Sequence, residues 1–178
     1  MTYRPRNTSN REKILALVTA VAAILLFAIG GFVEYLPGVY QVTAIIMAIT
    51  SIQLYMKYVG SDYVYEAAEK SLKVHKITGK KSICVCSLDY EMSLSYVVSG
   101  KEYLKDKSKY PKTDFNVNYA KNLAPENYSV YFFLFNDKKC MAKFEPDEIF
   151  TEYVNEKIRI ALNNAEKEQG WEEKYDEI

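Results

Sequence analysis

From Ile14 to Val33 the chain runs twenty residues without a charge, ILALVTAVAAILLFAIGGFV. At about 1.5 Å per residue such a helix is about 30 Å long, the thickness of a bilayer core. The run and its flanks predict a first transmembrane helix over 14–35, begun near Asn10 by the Ser9-x-x-Glu12 spacing of a capping box. A cleaved signal peptide has a shorter apolar region ending in small residues, whereas this run ends in Phe32, Val33, Glu34 and Tyr35. After the break at Leu36-Pro37-Gly38 a second uncharged run, eighteen residues from Val39 to Met56, predicts a returning helix over 39–58. Small residues recur as Ala16, Ala20, Ala23 and Gly30 on the first helix and as Ala44, Ala48 and Ser51 on the second. That spacing favours close packing of the pair on itself, with self-association of two copies as the competing use.

From Asp62 the pattern changes from helical to alternating. Tyr63–Ala68, Leu72–Thr78 and Lys81–Leu88 read as a meander of strands, and Met92–Val98 as a fourth, weaker one ended by Gly100. Lys101–Asp114 is polar, carries Pro111 and reads as a loop or short helix. Phe115, Val117 and Tyr119 then alternate with Asn116 and Asn118. Tyr128–Phe135 is continuously apolar, as suits a strand covered on both faces. Asn136-Asp137 supplies a turn into a strand over Lys139–Phe144. Pro146, Asp147 and Glu148 mark a helix start, and Ile149, Phe150, Tyr153, Val154, Ile158, Ala161 and Leu162 recur at helical spacing. After Asn164 the acidic tail, 164–178, reads as frayed. The expected fold class is α+β: a helical hairpin over 14–58, then an antiparallel β-sandwich or barrel of about seven strands over 62–163, capped by an amphipathic helix.

Charge changes the picture in two ways. Twenty-three basic residues balance twenty-three acidic ones, which removes a whole-chain case for nucleic-acid binding. The placement of the basic residues is uneven. Arg4, Arg6, Arg11 and Lys13 precede the first helix, Lys57, Lys70 and Lys73 follow the second, and none stands between them. By the positive-inside rule residues 1–13 form a basic cytoplasmic N-terminus, both ends of the chain are cytoplasmic, and the protein is a multi-pass protein of the cell membrane. Three cysteines suit a reducing compartment, where none needs a partner.

Candidate chemistry is sparse. Cys84 and Cys86, two apart on a strand, are expected on one face at the far edge of disulfide reach and are read as buried structural thiols. Adding Cys140 and His75 does not give a compact zinc spacing, and His75 is placed toward solvent. No metal and no cofactor is implied. Lys101, Lys105, Lys107, Lys109 and Lys112, interleaved with Tyr103 and Tyr110, are the candidate contact with anionic headgroups, although Glu102, Asp106 and Asp114 reduce the segment's charge to plus two. No phosphate-binding glycine loop, metalloprotease or nucleophile-elbow motif occurs, so no catalytic residue is assigned.

The order of strands, irregular segment, strands and closing helix, including VHKITGKKSICVCSLD and CMAKFEPDEIF, resembles a pleckstrin-homology-like domain. Joined to a two-helix hairpin it is similar to the bacterial PH-like membrane proteins. The resemblance implies two orthogonal sheets plugged at one end by the C-terminal helix. Lys70 and Lys73 stand beside Glu66 and Glu69, so inositide binding is not carried over. The function expected is a non-catalytic PH-like module at the cytoplasmic membrane surface, for protein or lipid-surface binding. Its partners are the bilayer and a membrane-associated protein or a second copy. The competing reading is a membrane-tethered enzyme, or an accessory subunit of a membrane enzyme or transporter.

Overall fold

The structure is a computed structural model that describes residues 1–6, 10–33 and 36–175, with side chains described as far as 167. It divides into two compact units, a helical one over Asn7–Asp62 and a β-rich one made of Met1–Arg6 with Tyr63–Ile178.

In the helical unit α1 spans Arg11–Phe32 behind an Asn10 N-cap, and α2 spans Pro37–Leu54, extended by a π-turn over Tyr55–Val59. Ser9 of the expected capping box, with Glu34 and Tyr35, lies outside the described residues. Leu36 adopts the left-handed conformation (φ 53°), and Pro37 starts α2 where its missing N–H has no partner to lose. Arg11–Phe32 and Pro37–Val59 are both long and apolar enough to cross a membrane. The small residues are the contact between them. Ala16, Ala23, Gly30, Ala44 and Ser51 are buried, and the Ser51 hydroxyl donates to the Ala16 carbonyl at 2.7 Å. Gly30 is needed there, since a Cβ would sit 3.0 Å from Tyr40 Cβ. The large side chains face outward, Ile24 at 69% and Phe32 at 89% exposure.

The β-rich unit holds two four-stranded sheets. The first is ordered β1 (Thr2–Tyr3), β2 (Asp62–Ala67), β3 (Ser71–Thr78), β4 (Lys81–Asp89). The second contains β5 (Val98–Ser99), β6 (Phe115–Asn118), β7 (Ser129–Phe135) and β8 (Lys138–Phe144), in the order β5-β7-β8-β6. Helix α3 (Gly100–Lys105) follows β5, and α4 (Glu148–Tyr175) closes the chain.

Four expectations change. Residues 1–6 are not merely a basic leader: Tyr3 pairs with Tyr65 and Thr2 with Glu66, making an edge strand of the domain. The sheets are not antiparallel throughout, because β6 runs parallel to β8 with Phe115 opposite Cys140 and Val117 opposite Ala142. A tight turn would have forced β6 beside β7; the longer 119–128 connection carries the chain across to the far edge instead. The fourth strand is broken into an isolated bridge from Ser93 to Phe133 and the two-residue β5. The tail does not leave the helix at Asn164: α4 continues to Tyr175, since Ala, Glu, Lys and Gln sustain it and a lone Gly170 does not end it.

The core lies between the sheets and is closed by α4. Tyr65, Leu72, Val74 and Leu88 of the first sheet meet Tyr131, Ala142 and Phe144 of the second, with Phe150, Val154 and Ile158 of α4 against them. The buried stripe of α4 is narrower than the pattern suggested, because Ile149 is 68% exposed. From Val130 to Phe133 the apolar run of β7 is covered on both faces, Tyr131 and Phe133 joining this core while Val130 and Phe132 join a smaller cluster under Tyr103, Tyr110 and Tyr128; Leu134 and Phe135 are exposed.

A buried carboxylate fastens the β-domain's loops. Glu145 accepts the Asn122 amide at 2.8 Å and Asn122 Nδ2 at 3.0 Å; Asn122 Nδ2 also reaches the Arg6 carbonyl at 3.1 Å. The Glu145 N–H donates to the Tyr65 hydroxyl oxygen at 3.2 Å, and that hydroxyl donates to the Tyr119 carbonyl at 2.9 Å. Glu145→Ala removes both carboxylate bonds to buried Asn122 and is expected to cost about 2–3 kcal/mol. Thermal melts of the variant should show a midpoint lower by about 10 °C.

Candidate functional site: an apolar cleft between sheet edges

Strand β4 ends the first sheet and β6 ends the second, and among the described residues neither outer edge has a strand partner. A cleft of about 560 Å³ lies between β4 and the floor formed by β6 with the ends of β7 and β8. Val85, Leu88, Phe115, Val117, Phe133 and Phe135 are among the apolar residues that line it. Phe115 is 54% and Phe135 59% exposed, so apolar rings stand open to the surroundings at the mouth. Lys138 Nζ lies 5.1 Å from the centroid of the Phe115 ring, and Asp114 Oδ2 accepts the Lys139 amide at 3.0 Å.

Asp89 apart, the ionisable groups that line the cleft, Cys86 and Tyr119, are neutral at neutral pH. Burial pushes the Cys86 thiol up from its ordinary value, and burial with the neighbouring Cys86 does the same to the Tyr119 hydroxyl, which shares a side-chain hydrogen bond with that thiol. Neither offers a nucleophile or a proton acceptor. What the cleft offers is apolar volume beside open backbone edges.

The cysteines depart from the expected shared face. Val74 pairs with Cys86 but the next residue, His75, pairs with Cys84, so Val85 is an extra residue in β4. This bulge turns Cys84 and Cys86 to opposite faces. Cys86 follows buried Val74 toward the core and is partly buried, whereas Cys84 is exposed, against the expected burial of both; of the three thiols Cys140 alone is fully buried. His75 is partly buried and has its Nε2 3.0 Å from Glu66 Oε2. Among the described residues no group of three or more His, Cys, Asp or Glu is arranged to hold a metal ion.

The five candidate lysines are all exposed: Lys101 and Lys105 on α3, Lys107 and Lys109 on the following 3-10 turn, and Lys112 beyond it. Lys109 faces Asp106 at 3.6 Å and Lys107 lies over the Tyr103 ring at 5.9 Å. The interleaved tyrosines turn inward. Tyr110 stacks on Phe132 at 5.4 Å, and Tyr103 packs beside it, so the lysines share the exposed surface with Glu102, Leu104 and Ser108 and not with the tyrosines. Gly100 permits this arrangement, because a Cβ there would lie 2.4 Å from the Tyr128 ring.

No family model, curated protein or solved structure matches this chain. Its function is therefore argued from the site's own geometry. The cleft was not visible in the sequence because Val85, Val117 and Phe135 look like ordinary core positions of alternating strands. One signal did exist. From Ile83 to Cys86 the β4 sequence is apolar on both faces, and the apolar run of β7 continues through Leu134 and Phe135, which a one-sided core does not require.

Proposed function

We propose that the chain is a small integral membrane protein whose β-domain is a non-catalytic binding module, taking an extended apolar segment of a membrane-associated protein into the cleft by strand addition. The observation that carries this is an apolar cleft flanked by two unpaired sheet edges. An added strand pairs its backbone with an edge while alternate side chains enter the adjacent apolar volume. A lipid chain would use the volume alone and has no need of backbone donors and acceptors.

Membrane insertion is supported by the outward-facing apolar surface of α1 and α2, which water would leave unfavourably hydrated. The cytoplasmic placement of the β-domain is supported by Arg4, Arg6, Arg11, Lys13 and Lys57 on one side of the helix pair and by the lack of Lys or Arg between the helices. Two sheets closed by a C-terminal helix favour the likeness to bacterial PH-like membrane proteins; the parallel β6–β8 pair is a departure from that pattern. A tethered enzyme is the second reading, and the row Glu66, His75, Cys84 is the feature in its favour.

The test places a photo-crosslinking residue at Val117 of the full-length protein in cells, with Ile149, exposed on α4, as control. A protein adduct specific to position 117 is expected, and Val85→Lys should reduce its yield about tenfold, the equivalent of about 1.4 kcal/mol. Lys105→Ser should leave it unchanged. Adducts to lipid alone, or the same adducts at both positions, would refute strand addition. Release of the chain from membranes by carbonate would refute the anchor.

A further inference from the structure

The bulge that opens β4 beside the cleft also builds a polar row on the opposite, outer face of the first sheet. Glu66 on β2, His75 on β3 and Cys84 on β4 lie on three successive strands. Glu66 Oε2 is 3.0 Å from His75 Nε2, and His75 is the register partner of Cys84. Residues directly opposed in an antiparallel pair hold their Cβ atoms about 4.5–5.5 Å apart, within which a thiol and an imidazole meet by side-chain rotation alone. An ionised carboxylate only accepts hydrogen bonds, so Glu66 fixes the proton of neutral His75 on Nε2 and leaves Nδ1 as the acceptor. Cys84 is exposed and Cys86 is half-buried; the Cys84 thiol donates to the Cys86 carbonyl at 3.3 Å. The other charged group on that face of β3 is Lys73, two residues before His75.

We infer that Cys84 is a reversible thiol-modification site whose co-reactant is a low-molecular-weight disulfide, with His75 taking up its proton and Glu66 positioning His75. Such a site needs an open approach, a proton acceptor near the sulfur and a group that orients the acceptor. The row supplies all three, and it supplies them only because Val85 is extra. In an uninterrupted ladder Cys84 would share the core-facing side with Cys86. The step is an exchange. The Cys84 sulfur attacks one sulfur of the disulfide as its proton passes to His75. A new S–S bond forms as the old one breaks, and the departing thiolate takes the proton from His75. Cys84 is oxidised, the departing sulfur is reduced, and a thiol reverses the step. This site goes beyond the binding role and does not rest on it.

The probe is 5,5′-dithiobis(2-nitrobenzoate), added to the full-length protein in detergent micelles and followed by released thiolate and intact mass. One equivalent is expected to react rapidly at pH 7, mapping to Cys84, and Cys84→Ser should abolish this phase. His75→Asn should slow it at least about tenfold at pH 7, toward the lower limit of general-base assistance, and the deficit should close by pH 10, where free thiols ionise unaided. Glu66→Gln should slow it less, with the same recovery at high pH. A variant that has lost its fold would expose Cys86 and Cys140 and release more than one equivalent; Glu66→Gln then decides. Parent-like rates at pH 7 in the folded His75 or Glu66 variant, or an adduct on Cys86, would overturn the assignment.

Discussion

Above about pH 10 the β-domain is expected to lose up to about 4 kcal/mol of stability per pH unit. Three tyrosines supply this much, Tyr65, Tyr90 and Tyr131, each with essentially no exposed surface, and the partly buried Tyr119 adds to it. Burial pushes all three hydroxyls above their ordinary value, because a phenolate in the core would be stripped of water. The neutral form carries the proton, so the folded chain keeps these protons to higher pH than the unfolded chain does. Unfolding therefore releases protons once the pH passes the unfolded value near 10, and stability falls as the pH rises further; below that value there is no effect. Each tyrosine contributes at most about 1.4 kcal/mol per unit. Denaturant midpoints of the full chain in detergent at pH 8, 10, 11 and 12 measure the slope. Tyr90 isolates its share, since its hydroxyl has no hydrogen-bond partner among the described residues. Tyr90→Phe should raise stability at neutral pH by up to about 1 kcal/mol and remove up to about 1.4 kcal/mol per pH unit of the alkaline slope. A flat profile from pH 10 to 12 would show that these rings are hydrated.

Phe150→Ala should cost about 3–5 kcal/mol, a large share of the total stability of a domain this size. Phe150 is fully buried and joins elements that are far apart in sequence. Its ring centroid lies 5.9 Å from Tyr3 of β1 and 6.3 Å from Tyr65 of β2, while Tyr65 meets Phe144 of β8 edge-on at 5.6 Å. Truncation leaves a cavity where both sheets, β1 and α4 converge, and none of those elements can collapse into it without breaking the others' contacts. Chemical denaturation with near-ultraviolet dichroism of the tyrosines reports the loss. Phe150→Leu should recover more than half of it, and Ile149→Ala, one residue away on the exposed side, should change stability by less than about 0.5 kcal/mol. Equal effects at 149 and 150 would mean that α4 is held by something other than this face.

Local signals were legible and long-range ones were not. The alternation of Phe115 and Val117 found a strand, but direction and edge position depend on the 119–128 connection, which carries no periodic signal. Asn136 and Asp137 did announce their turn: both take positive φ, 49° and 62°, as a tight hairpin between right-twisted strands requires. The α1–α2 pair was readable because small residues at helical spacing have one use in a close helix contact. Strand β1 was not, since two residues that pair across some sixty others leave no pattern in their neighbourhood. The candidate lysines are exposed, whereas Tyr103 and Tyr110, interleaved with them in sequence, are cover for Phe132. The thiols failed for a sharper reason. Period two predicts a face only while the ladder is unbroken, and a single inserted valine inverts every prediction beyond it.

The pairing of Tyr3 with Tyr65 has a consequence for how the gene product is put together. The two apolar helices are an insertion within one β-hairpin, spliced between strands that are neighbours in the sheet. In this register a tight Asn-Gly turn joining Arg6 to Asp62 would restore an ordinary hairpin and leave every other strand connection untouched. Residues 1–6 must then travel with the C-terminal portion in any excised fragment: cutting the chain after the second helix would discard β1 and leave the edge of β2, with Tyr65 and Phe150 behind it, bare.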